Sequence, residues 1–416
     1  MRRAFGASRD GTSPALVAIA ILAAAVTLRP SIVAIGALTP RIAGELGTSY
    51  AAIGFITTLT IVLVGLAAPL GPSILHRWGF RRSMAATMAV LLVAVLARAI
   101  SPAYPLLLFW SGTIGILIGI GQSIGPTLGR GPSISPRLAS GSFTVGLVGS
   151  AIVAAAVAVL VATWTGGWRS ALIAVSVPIV GSIVIWLIAV PGHTSAGHPD
   201  PPTARLPIRD REARWLALAF GLQAVLYHSL VAWLPEIAVE AGDSEVLGGF
   251  LLAILNAAAL AASVAVLLLG GLGSTSFQII IVSGVACLSV IALASGAPRE
   301  LAVATLGLSL GAVLPLMVSL GLARSADPAT ASSLIALIFL VGFVLAGLAP
   351  LLIGILRDAT GGFASSLWLL ALDALLLVVV AIRVHGPDRR RRSAHLNPPP
   401  KVSDGAPELD RFYEDR

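Results

Sequence analysis

The sequence is a succession of apolar runs, each about twenty residues long, separated by short polar joints. A helix rises about 1.5 Å per residue, so a run of that length crosses a hydrocarbon core of about 30 Å. Twelve such runs are expected, over 14–37, 50–72, 82–101, 105–127, 138–162, 168–190, 214–234, 246–270, 276–296, 300–323, 329–356 and 363–384. Charged residues make up 11% of the chain, hydrophobic ones 57%, and the mean hydropathy is +0.95. Soluble domains carry about 25% charge. A transmembrane barrel would instead show alternating segments of about ten residues, which are absent. The fold class is therefore an all-α membrane protein. The first run is too long for the core of a signal peptide and is retained as a helix.

The longest joint, 191–213, is rich in proline, glycine and charge, and it divides the runs six and six. It reads as a linker between an N-terminal bundle (14–190) and a C-terminal bundle (214–384), with residues 1–13 as a short leading segment and 385–416 as a disordered tail. Arginine and lysine in the joints fix an orientation. With both termini cytoplasmic, the cytoplasmic side carries 21 of the 27 basic residues and the opposite side five, with Arg29 the remainder. The expectation is a multi-pass protein of the cytoplasmic (inner) membrane. Its net charge of +8 is mostly this bias, so nucleic acid is discounted as a partner. Between the halves there is also a weak repeat. "VGLVGSAIVAAAVAVLVATWTGGW" (145–168) and "VGFVLAGLAPLLIGILRDATGGF" (341–363) both run from Val-Gly to Thr-Gly-Gly-aromatic. Two such halves about an axis along the membrane normal make a transporter architecture with a midplane site.

Arg29 is a charge inside the first run, 15 residues beyond Pro14. That places it roughly 22 Å into the membrane, where an arginine costs from about 2.5 kcal/mol upward. Pro30 loosens the helix beside it. Arg29 either faces a wet cavity, where it holds an anion or a strongly dipolar group, or reaches back to the interface. In span seven, Gln223 and Tyr227 share a face and His228 lies about 100° further round. The first two suit hydrogen bonding to a substrate, and His228 is either a proton-coupling group or a packed neutral histidine. Asp373 is read as the only acid deep in a span, and is a second proton-coupling candidate or a packing contact. His228 and Asp373 are expected on helices that do not touch. Arg98, near the end of span three, is read as interfacial. Cys287 is a lone packed thiol. No HExxH, GxSxG, phosphate-binding loop or dinucleotide fingerprint is present, so the chain is read as no enzyme, with no catalytic residues, no cofactor and no metal.

"GPSILHRWGFRR" (71–82) joins spans two and three, and Arg77, Gly79, Arg81 and Arg82 resemble the loop signature of the major facilitator superfamily. His76 stands where that pattern has an acid, and Pro72 where it has a glycine. A narrower resemblance, carried by "LRPSIVAIGALTPRIAGELG" (28–47), "AAPLGPSILHRWGF" (67–80), "GIGQSIGPTLGR" (119–130), "TGGWRSAL" (165–172), "FGLQAVLYHSLVAWLP" (220–235), "SADPATASSL" (325–334) and "PLLIGILRDATGGF" (350–363), is to the cyanate and nitroimidazole permease branch of that superfamily. The resemblance implies a twelve-helix secondary transporter working by alternating access, with protons as a possible co-substrate. It adds Gln122 and Asn256, where the family pattern carries amides, to Arg29, Gln223, Tyr227 and His228 as substrate-binding candidates. Leu310 and Phe339 stand where the pattern suggests polar side chains. That makes the cavity less polar than a cyanate site needs and tilts the substrate towards a nitroaromatic. The alternatives are an exporter of neutral drug-like compounds, or a transporter-like receptor without flux. Direction of transport and oligomeric state stay open.

Overall fold

The computed structural model describes residues 13–124, 136–190, 207–269, 274–324 and 328–385. Most of the expected linker, the leading segment, the tail after residue 385, and the quoted stretches at 125–130 and 325–327 lie outside the described residues. Every regular element among the described residues is a helix: α1 (Pro14–Val26), α2 (Pro30–Ala37), α3 (Thr39–Leu46), α4 (Tyr50–Ala67), α5 (Leu70–Ala99), α6 (Tyr104–Ile124), α7 (Pro136–Thr165), α8 (Trp168–Ala174), α9 (Val177–Ala189), α10 (Arg211–Glu240), α11 (Glu245–Leu269), α12 (Thr275–Ala294), α13 (Arg299–Arg324), α14 (Pro328–Thr360) and α15 (Ala364–Val384). Twelve stretches are long and apolar enough to span a membrane, α1 with α2 forming the first and α8 with α9 the sixth. The chain is an all-α, multi-pass membrane protein.

The first span breaks where the sequence places its charge and proline together. Pro30 has no N–H to donate, and Arg29 takes φ −104° and ψ −34° as the residue before α2. The last turn of α1 tightens to compensate. Thr27 N and Leu28 N donate to Ala24 O (3.2 Å) and Ala25 O (3.1 Å), and Thr27 Oγ1 also donates to Ala24 O (2.8 Å). These three-residue bonds satisfy carbonyls that the break would otherwise strand.

Two boundaries differ from expectation for physical reasons. Span seven does not stop before Pro235; α10 runs through the proline to Glu240, capped at its start by Asp210, whose Oδ1 accepts from Glu212 N (2.8 Å). A membrane helix tolerates an internal proline when neighbours serve the freed carbonyl, and α10 ends only before Gly242 (φ +94°). The joint between spans two and three is helical on both sides of a single non-helical residue, Gly79 (φ +71°, ψ 168°). A side chain there would be strained. Arg81 follows and closes the joint onto α9, donating from Nη2 to Leu187 O (2.8 Å) while its own carbonyl accepts from Trp186 Nε1 (3.2 Å). Arg77 and Arg82 are exposed.

The repeat seen in the sequence has a conformational counterpart. α7 and α14 both end on a threonine whose Oγ1 donates to the carbonyl four residues back, at 2.7 Å for Thr165 and 2.8 Å for Thr360. The next residue, Gly166 or Gly361, has φ +76° in each case.

The helices up to α9 pack mainly among themselves, as do those from α10 onward. The two sets meet through α4 against α14, α7 against α11, and α2 against α10. These contacts are close because small residues line them. A Cβ on Gly54 of α4 would stand 2.4 Å from Pro350 O, and one on Gly36 of α2 would stand 2.1 Å from Val231 O. Twelve spans return the chain to the end it started from, and both glycines lie towards the opposite, far end. There the sets are also tied by polar bonds: Arg41 Nε to Glu245 Oε2 (2.6 Å), Tyr50 Oη to Glu236 Oε1 (2.8 Å), and the amides of Tyr50 and Ala51 to Asp358 (3.1 and 2.8 Å). The far end is shut. Gly54→Ala is expected to cost about 1–3 kcal/mol of this packing, read as a lower unfolding temperature of the purified protein in detergent.

Candidate functional site

The break at Arg29 faces α10. Arg29 Nη1 donates to Tyr227 Oη (3.0 Å), and the guanidinium carbon lies 5.4 Å from the centre of the tyrosine ring. The hydroxyl passes its own proton on, donating to Asn256 Oδ1 (2.7 Å) in α11. Asn256 is fully buried and anchors itself through Nδ2 to Leu252 O (2.8 Å). A relay of cation, phenol and amide thus joins span one to spans seven and eight. Among the described residues no carboxylate pairs with Arg29, and its side chain is half-buried rather than sealed. A guanidinium carries five donors in a planar fork. With one committed to a neutral phenol, donors are left for a planar pair of oxygens from a ligand.

The other expected residues divide. Gln223, one turn below Tyr227 on α10, donates from Nε2 to the backbone carbonyl of Leu310 (3.1 Å) in α13. His228 stands beside Tyr227, ring centres 5.2 Å apart at 85°, and its Nδ1 bonds to Ala224 O (2.9 Å) within its own helix. Because a carbonyl only accepts, Nδ1 carries the proton in that bond, leaving Nε2 outside it. Gln122, in α6, is partly exposed and makes no side-chain hydrogen bond to the described residues. Leu310 is buried and supplies the site only its carbonyl. Phe339 belongs to an aromatic wall. It meets Phe220 edge-on (5.6 Å, 90°) and stacks on Phe343 (6.1 Å, 24°). Phe220 is seven residues before Tyr227, so both lie on one face of α10 about 10 Å apart. The arrangement is a polar fork at one level and aromatic faces about two turns away.

Two expectations need correction, and a buried acid stands beyond the spans the sequence predicts: Glu236 of α10, 6% exposed, lies past Pro235 towards the far end. Carrying the helical pattern on through Trp233 and Ile237 would have found it. Arg98 is not interfacial; it is fully buried, and Nη2 donates to Ser31 O (2.8 Å) just past the break, while Nε has no partner. Its signal was the buried stripe Met84, Met88, Leu91, Val95, which Arg98 continues at helical spacing. Finally, α10 and α15 do pack together. No bond joins His228 to Asp373, whose Oδ2 is buried without a partner. The main neighbours of α15 are α10, α12 and α14, so Asp373 lies away from the break in span one.

The Major Facilitator Superfamily model matches residues 15–350. The cyanate transport protein CynX of Escherichia coli (strain K12) is 27% identical over 362 residues, 86% of this chain and 94% of that protein. The 2-nitroimidazole transporter of the same strain is 26% identical over 389 residues, 90% of this chain and 96% of that one. Among solved structures, a bacterial homolog to the human lysosomal transporter Spinster, inward-facing and unoccupied, superposes with a TM-score of 0.74 at 12% identity, covering 89% of this chain and 96% of the other. The D-xylose–proton symporter gives 0.68 at 14%, covering 88% and 96%.

The relay itself is testable through its unpaired halves. Tyr227→Phe leaves buried Asn256 Oδ1 without a donor, and is expected to cost about 1–3 kcal/mol of stability. Adding Asn256→Leu removes the stranded acceptor and should restore most of the unfolding temperature.

Proposed function

This chain belongs to the major facilitator superfamily of membrane transporters, and we propose that it moves a small anionic or polar molecule by alternating access. The observation that carries this reading is Arg29: a half-buried guanidinium at a helix break, between the two sets of six spans, held by a phenol rather than by an acid. A permanently paired cation would be structural. One held by a single neutral bond is available to cargo. Arg29, Tyr227 and Asn256 form the polar end of the site, and Gln122, Gln223 and His228 line its approaches.

Within that class a nitroaromatic suits the site better than cyanate. Its nitro group presents two oxygens to the fork of Arg29 as a carboxylate would. Its ring has Phe220, Phe339 and Phe343 to stack on. A three-atom anion leaves that wall unused. The named relatives transport one or the other, which supports the class and leaves the choice to the aromatics. The same wall is what favours the second reading, an exporter of neutral drug-like compounds.

The two six-span sets act as the rocking bodies, with the basic end cytoplasmic and the membrane the inner one. Coupling is to protons. His228 is the nearer of the two proposed carriers to the cargo; Asp373 sits on a helix away from it.

The deciding measurement is flux of 2-nitroimidazole and of cyanate into proteoliposomes containing the purified protein. Arg29→Ala and Arg29→Lys are both expected to lose at least about tenfold, since lysine cannot offer the planar fork. Retention of most flux by both variants would point to a neutral cargo. Saturable binding without any uptake would favour a receptor.

A further inference from the structure

Glu236 lies in α10, two to three turns beyond the relay towards the far end, and sits in the seam between the two sets of spans. It is 6% exposed. Its Oε1 accepts from Tyr50 Oη (2.8 Å), a bond that crosses the seam, and its Oε2 is buried with no partner. Among the described residues no cation pairs with it. Arg357 of α14, the nearest candidate, is taken: Nη2 pairs with Glu240 Oε2 (3.2 Å), and the guanidinium lies 4.3 Å from the centre of the Tyr50 ring. Glu240 is further held by Phe363 N (2.7 Å). Arg41 of α3 is committed to Glu245 of α11 and to Ala162 O. Asp358 of α14 caps the start of α4 through the amides of Tyr50 and Ala51. Glu236 therefore faces Tyr50, Arg357, Glu240 and Glu245 from four helices, and every ionic contact in the cluster is made by its neighbours.

A carboxyl with one hydrogen bond is poorly served once water is excluded. When the far end parts, the bond from Tyr50 breaks and both oxygens meet water. A group that is sealed in one state and wetted in the other binds its proton differently in the two, so proton binding and gate position are linked. We propose that Glu236 is a proton-binding site of the far gate, taking its proton as the seam closes and releasing it as the seam opens to the far side. This rests on the proton-coupled transporter read above and assigns part of that coupling to the gate rather than to the cargo site. No bond beyond the O–H of the carboxyl is made or broken, and the proton comes from and returns to water.

The test reads the gate without needing the cargo. Spin labels on Gly44→Cys (α3) and Ala359→Cys (α14), both exposed, in a Cys287→Ser background, report the separation across the far end in lipid nanodiscs. Acidification from about pH 8 to about pH 5 is expected to raise the ratio of closed to open, by up to about tenfold per pH unit for one proton. Glu236→Gln should flatten that response, and Glu236→Asp should keep it. Should the glutamine variant not fold, Tyr50→Phe removes the bond to Oε1 and must move the midpoint of the titration. A response that is flat in the unaltered protein, unchanged in Glu236→Gln, or unmoved in Tyr50→Phe overturns the assignment. Proton movement in vesicles separates the two readings. Proton-driven uptake of 2-nitroimidazole together with a Glu236→Gln gate that titrates like the parent removes the assignment alone. A gate titrating through Glu236 with no proton movement removes proton-driven transport and leaves the assignment standing.

Discussion

Hydrocarbon offers no hydrogen bonds, so a polar group inside these spans is either served by the protein or kept in touch with water. The twelve spans are organised by that rule. Threonines and serines fold their hydroxyls back onto their own helices, as Thr60 does to Ile56 O (2.8 Å) and Thr87 to Ser83 O (2.8 Å). The break at Arg29 is stitched by tightened turns on one side and by Arg98 reaching Ser31 O on the other. Among the charged side chains, Nε of Arg98, Nε of Arg357, Oε2 of Glu236 and Oδ2 of Asp373 are buried without a partner, and Arg29 keeps donors beyond its bond to Tyr227. Arg29 and Glu236 both lie in the seam between the halves of the chain.

The seam is made of two different materials. Towards the far end, glycines let backbones approach so closely that an added methyl has no room, and carboxylates tie one set of spans to the other. Nearer Arg29 the seam also carries a polar bond, from the guanidinium to the Tyr227 hydroxyl. Close packing fixes where the sets meet.

Much of this was legible in the sequence because the membrane imposes long, uniform runs. Pro14–Ala37 emerged with the expected boundaries, and the glycine turn at Gly79 came with its positive φ. Arg29 announced itself as a charge in oil. Its tie to Tyr227 could not be read, because that depends on how α2 and α10 face each other across 198 residues of chain. Asn256 was suggested only by family likeness, and its place at the end of the relay is a matter of three helices meeting. Glu236 was hidden by an ordinary rule, that proline ends helices, which does not hold here: α10 runs on through Pro235 to Glu240. Arg98 was hidden by another, that a charge near a helix end reaches out. Its position on the inner stripe of α5 outweighed its distance from the end.

The ties at the far end are bonds that water can also make. Arg41 with Glu245 and the start of α4 with Asp358 are partly exposed, and exchanging such partners for water changes the free energy little, typically by about 1 kcal/mol or less for an exposed pair. Ties of that kind add little of their own to the hold between the two sets, which leaves the close approach of the backbones at Gly36 and Gly54 as the firmer part of the far-end seam.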